Sequence, residues 1–127
     1  MFEWLERRGF RDEVKVGYGL AHDDPRTIEA DKCRYDACVE LSRDAIASVG
    51  GEIRSQNLSG GAFVRSRVTG CYSNIAKTLS TIRDEWMPSQ GLSVDAKRPV
   101  IAIYLSDPRF VVPEERKADI CLPVRPT

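Results

Sequence analysis

Asp24-Pro25-Arg26, nine residues, then Asp36-Ala37-Cys38: this stretch is repeated as Asp107-Pro108-Arg109, nine residues, then Asp119-Ile120-Cys121. The two copies lie 83 positions apart, and a run with strand character precedes each. Self-similarity at a fixed offset marks two copies of one supersecondary unit that bury their apolar faces against each other. A paired architecture has a seam, and small ligands favour clefts at seams.

Working outward, the second copy reads as strand, helix, strand, strand. Gly60-Gly61 turns the chain into a strand over Ala62–Val68. Tyr72, Ile75, Ala76, Leu79, Ile82 and Trp86 then recur at helical spacing as one apolar stripe, which Pro88 and Gly91 end. Strands follow at Pro99–Leu105 and Ala118–Val124, with a helical turn near Pro113–Arg116. The first copy shows only a helix end over residues 2–8 closed by Gly9, a strand at Val14–Ala21, a turn at Ile28–Lys32 and a strand at Tyr35–Leu41. Trp4 and Gly9 match Trp86 and Gly91, so the first unit lacks a counterpart of Ala62–Val68. Ile53–Leu58 reads as a short edge strand. An unpaired edge is a liability, which makes a homodimer or strand exchange an expectation. The chain reads as one domain over 1–127 built of two copies of one unit. Repeat 1 covers about 1–41, a connector 42–51, and repeat 2 about 52–125.

Bulk properties narrow the function. Nineteen basic and nineteen acidic residues cancel. That speaks against direct nucleic-acid binding, which draws its affinity from excess Lys and Arg. No run is long enough to span a membrane and no signal peptide is evident, so a cytoplasmic location is expected. Cys33, Cys38, Cys71 and Cys121 form no Cys-x-x-Cys pair, and His22 is the single histidine; no metal site or cofactor is expected. Cys38 and Cys121 sit in apolar strand pattern and read as small buried hydrophobes before catalytic thiols.

Gly60-Gly61-Ala62-Phe63-Val64, Gly70-Cys71-Tyr72, Glu85-Trp86-Met87-Pro88-Ser89 and Tyr104-Leu105-Ser106-Asp107-Pro108 occur in this order. Together with the repeat they resemble the GyrI-like small-molecule-binding domain, the effector-binding part of AraC/Rob-type and multidrug-sensing regulators. The resemblance covers roughly residues 1–125. It implies an α+β fold of two pseudo-twofold-related strand-helix-strand-strand units (an SHS2-type duplication), forming a curved antiparallel sheet or barrel-like cleft, often for lipophilic cations. In that pattern the strand before the Asp-Pro turn carries a glutamate that answers the ligand's charge. Here Ala102 holds its place, in Ile101-Ala102-Ile103-Tyr104. An unpaired carboxylate in an apolar cleft favours a cation that pairs with it, so its loss implies altered charge selectivity.

The candidate ligand-binding residues are Tyr18, Gly19, Phe63, Trp86, Ala102 and Tyr104. Tyr104 shares a strand face with Ala102 and is read equally as pocket lining and as core; Trp86 and Phe63 are read first as core. Gly19, the counterpart of Ala102, either opens the cleft or marks a bulge. Arg26, Arg109, Asp36 and Asp119 are expected to form an equivalent structural ion pair in each copy, with His22 exposed and inert. The leading expectation is a stand-alone binding module for a small lipophilic molecule, with any DNA-binding role left to a separate partner. Two alternatives stay open. One is a hydrolase using pocket carboxylates, Glu85 being the remaining candidate. The other is a gyrase-inhibitor-like protein-interaction module.

Overall fold

The computed structural model describes residues 1–14, 16–24, 26–47, 49–51, 53–56, 58, 60–107 and 109–126. Pro25 and Pro108 of the repeated turn therefore lie outside the described residues. The chain opens with helix α1 (Phe2–Arg8), whose C-cap Gly9 adopts φ 78°, a left-handed conformation that glycine reaches without strain. A 3-10 turn (Arg11–Glu13), strand β1 (Gly17–Ala21), a second 3-10 turn (Ala30–Lys32) and strand β2 (Tyr35–Val39) complete the first unit.

A short helix α2 (Arg43–Ala47) lies in the connector. Residues 53–56 and Leu58, expected as an edge strand, form no strand. The second unit runs β3 (Phe63–Thr69), α3 (Asn74–Thr81), a π-helical turn (Ile82–Trp86), α4 (Met87–Ser89), β4 (Leu92–Val94), β5 (Val100–Tyr104), a 3-10 turn (Pro113–Glu115) and β6 (Lys117–Pro126). Pro88 explains the π turn. It has no N–H to offer the preceding turn and its ring crowds the carbonyl four residues back. The helix widens instead, the Met87 N–H reaching Ile82 O, and it continues to Ser89 rather than stopping at Pro88.

All strand pairs are antiparallel, in the order β2-β1-β5-β6-β3, with β4 on the far end of β6. Among the described residues the sheet is open, with β2 and β3 as its edges, and does not close into a barrel. β6 is its spine, buried from Ala118 to Pro123. Pro123, which cannot donate to a ladder, sits where β6 passes from β5 (Ile101↔Cys121) to β4 (Val94↔Val124).

The register reveals the symmetry. Gly19 pairs with Ala102, its own counterpart 83 positions on, while Gly17 pairs with Tyr104 and Ala21 with Val100. A pseudo-twofold axis therefore passes between Gly19 and Ala102, as in an isologous contact. The side-chain alternation of strands then divides the residues between two faces. On one face Val68, Met87, Ile120 and Leu122 form a core that Ile75, Leu79 and Ile82 of the helix cover. On the other face Leu20, Ile101 and Cys121 pack with Tyr18, Cys38, Phe63 and Ile103. The apolar stripe is narrower than its sequence suggests. Tyr72 and Trp86 lie outside the helix core, and Trp86 is 45% exposed.

Candidate functional site

The helix-side face of the sheet carries Gly17, Gly19 and Ala21 from β1, Tyr35 and Ala37 from β2, and Val100, Ala102 and Tyr104 from β5. At the axis the two side chains are the smallest available, and both Gly19 and Ala102 are buried. What buries Gly19 is Tyr35. A Cβ added to Gly19 would meet the Tyr35 hydroxyl at 1.9 Å and its Cζ at 2.7 Å. The ring reaches diagonally across from the neighbouring strand, an aromatic cover over a bare glycine.

Phenols surround this floor. The Tyr35 and Tyr104 hydroxyls are hydrogen-bonded at 3.1 Å, either able to donate. The Tyr72 ring lies 5.1 Å from that of Tyr104, tilted by 56°, and its hydroxyl donates to Ser106 O at 3.1 Å. Arg116 stands 5.9 Å above the Tyr72 ring. Burial pushes the Tyr104 phenol well above the ordinary tyrosine range, and its bond to Tyr35 adds to the effect; it stays a neutral donor and acceptor.

In the adjoining turns and π turn, Asp24, Asp84 and Asp107 are held by arginines, while Glu85, the carboxylate candidate for hydrolysis, is exposed. Asp24 accepts from the Arg26 guanidinium, which also reaches Asp84 of the π turn at 2.8 Å. Asp107 accepts from Arg109 in the same way, and this contact holds its carboxyl at about 2. The ion pairs thus recur in each copy, but within the Asp-Pro-Arg turns. The expected pairing of Arg26 and Arg109 with Asp36 and Asp119 is replaced. Asp119 accepts from Arg65 at 2.6 Å and from Arg67, and Asp36 contacts His22 at 2.8 Å. His22 is therefore partnered, not inert. The cause is strand alternation, which turns Asp36 and Asp119 to the sheet face away from the turn arginines.

Of the candidate residues, Gly19, Ala102 and Tyr104 come together on the helix side of the axis. Trp86 stands at the end of the π turn, exposed on the rim of that side. Tyr18 and Phe63 project to the opposite face. Tyr18 donates to Glu40 at 3.3 Å, and Phe63 lies under the Arg98 guanidinium at 4.8 Å. Tyr35 is the residue that reading the sequence missed. The available signal was an aromatic two positions from the residue facing a strand glycine. A cleft of about 700 Å³ runs along β2 between α1 and the connector, with Tyr18, Tyr35 and Ala37 in its lining.

The chain matches the GyrI-like small molecule binding domain over residues 1–125. It belongs to the GyrI-like family. Over 107 residues this GyrI-like chain is 26% identical to the probable transcriptional regulator YgiV of Escherichia coli K12 and 25% identical to that of strain O157:H7. The overlap takes in 84% of the chain and 66% of each regulator, so the chain spans just under two thirds of these relatives. Among solved structures it is similar to an uncharacterized conserved protein of Listeria innocua, with TM-score 0.64 and 22% identity over 88% of this chain and 64% of that one. It is similar too to a protein of the same organism described as a hydrolase, with TM-score 0.59 and 21% identity over the same shares. At that identity the likeness shows the GyrI-like fold alone.

Proposed function

We propose that this GyrI-like chain binds a small lipophilic molecule on the helix side of the pseudo-twofold axis, and that it favours neutral ligands over cations. The observation that carries this reading is the pairing of Gly19 with Ala102 beneath three phenols, with Asp24, Asp84 and Asp107 tied to arginines. A cation brought to such a floor loses hydration and finds no carboxylate to replace it, which costs several kcal/mol. A neutral ring with a hydrogen-bond acceptor suits it better. Tyr35 is 55% exposed, and a single phenol–phenol bond ties its tip. Swinging it out costs about 1 kcal/mol and frees both the surface above Gly19 and the Tyr104 hydroxyl. By analogy with the regulators the chain matches, ligand occupancy serves as a signal to a DNA-binding partner.

A thermal-shift panel of matched cationic, neutral and anionic lipophiles tests the reading. Ligand at about 100-fold over its Kd stabilises by roughly 2.7 kcal/mol. Neutral compounds should raise Tm. Stabilisation by cations alone, or by no compound in the panel, contradicts the proposal.

A further inference from the structure

Tyr35 occupies the floor it adjoins. Gly19 has Gly17 and Ala21 as its same-face neighbours along β1, and Ala37 and Ala102 opposite it on β2 and β5. None of the four carries more than a methyl group. Tyr35, paired with Ala21, and Tyr104, paired with Gly17, stand at diagonal corners of this patch. Their side chains lean toward each other, and the two hydroxyls meet at 3.1 Å. The hydroxyl end of the Tyr35 ring lies on Gly19: Cζ and Cε2 would stand 2.7 and 3.2 Å from an added Cβ, with the hydroxyl nearer still.

The repeated scaffold does not require this ring. At the equivalent places, 83 positions away, Tyr35 answers to Ala118, Tyr104 to Ala21 and Gly19 to Ala102. Only one copy leaves a recess by omitting a side chain, and a ring from the neighbouring strand fills it. Beyond its Cα, that side chain is a 4-methylphenol. Its hydroxyl meets a group able both to donate and to accept, because burial holds the Tyr104 phenol well above the ordinary tyrosine range and so keeps it protonated. The recess therefore already accommodates a flat aromatic edge with a hydroxyl at its far end.

We propose that Tyr35 is an internal competitor for the floor, and that the ligand is a phenol: a flat hydroxylated ring that displaces Tyr35 from Gly19 and takes over its bond to Tyr104. This rests on the ligand floor proposed above and names the chemical class that fills it. A side chain that must leave first lowers the apparent affinity by the fraction of molecules in which it has left. Giving up one phenol–phenol bond makes that factor about fivefold.

The probes are 4-methylphenol, toluene and cyclohexanol, titrated into the whole chain and followed by NMR at the amides of Gly19 and Ala102. Toluene lacks the hydroxyl, and cyclohexanol carries it on a puckered ring. Tyr35→Ala should bind 4-methylphenol at least about fivefold more tightly than wild type does. It should also bind it about fivefold more tightly than either analogue, and adding Tyr104→Phe should erase the preference over toluene. In wild type, bound 4-methylphenol should show nuclear Overhauser contacts to the Ala102 methyl, a result that needs no variant. Equal binding of the three probes at the floor overturns the phenol class and leaves a floor for lipophiles intact. An unchanged affinity in Tyr35→Ala, shown to be folded by its urea transition, overturns the competition. No response at Gly19 and Ala102 to any probe, in either protein, overturns the floor itself.

Discussion

Replacing Gly19 by alanine places a methyl 1.9 Å from the Tyr35 hydroxyl and 2.7 Å from its Cζ, distances that no side chain tolerates. The obstacle is the far end of a half-exposed tyrosine, so the ring rotates away while the strand stays in place. Rotation gives up the 3.1 Å bond to Tyr104 and the ring's contact with the floor, together about 1 kcal/mol. Against this, alanine is better than glycine within a strand by about 0.5–1 kcal/mol. Gly19→Ala alone should therefore leave stability within about 0.5 kcal/mol of wild type. In a Tyr35→Ala background the obstacle is gone, and the same substitution should stabilise by its full 0.5–1 kcal/mol. Urea denaturation of the four proteins measures the coupling, expected at about 1 kcal/mol. Equal effects of Gly19→Ala in both backgrounds would refute the placement of Tyr35 over the axis.

Three further outcomes follow from the packing and charge. Met87→Ala, at a fully buried position of the helix-side core, should cost about 2–5 kcal/mol in urea denaturation; a loss under 1 kcal/mol would mean that the helix does not seal that core. Asp119→Asn should destabilise by about 1–2 kcal/mol, since the buried carboxylate holds two half-exposed arginines. Its contact with Arg67, and then that with Arg65, keeps the folded-state carboxyl below its usual range. This contribution is thus fully present above about pH 5, and it fades as pH falls through the folded value. A difference between wild type and Asp119→Asn that persists unchanged at pH 2 would contradict it. Tyr104→Phe removes the phenol that meets Tyr35 and with it the cost of swinging Tyr35 out, so a hydrocarbon analogue should bind about fivefold more tightly, whereas an acceptor-bearing neutral ligand, which also loses its hydrogen bond to Tyr104, should show no such gain in calorimetric titration.

Much of this architecture is legible in the residues because the repeat carries it. The spacing of Asp24, Arg26, Asp36 and Cys38 against their counterparts fixes which strands correspond, and the observed register honours it at Gly19↔Ala102. Gly9, Gly91 and the Ile75–Leu79–Ile82 stripe place the helices for local reasons of capping and periodicity. The partners of Asp36 and Asp119 are not legible. A sequence offset says which residues are equivalent but not which sheet face each strand turns toward a turn. Tyr35 escaped for a related reason. Its role depends on a diagonal across two strands whose pairing only the fold defines. Residues 53–56 and Leu58 have strand composition without a ladder, because composition is a weak guide where no partner fixes the backbone.

The central claim is a ligand floor at the axis that lacks a carboxylate. Its direct test is calorimetric titration of one lipophilic scaffold, prepared as a neutral and a cationic form, against wild type and Ala102→Glu, with folding of the variant checked by its urea transition. Wild type should bind the neutral form more tightly, and Ala102→Glu should reverse the preference through a gain of at least about tenfold for the cation. A wild type that prefers the cation, or a folded Ala102→Glu with unchanged selectivity, would contradict the account.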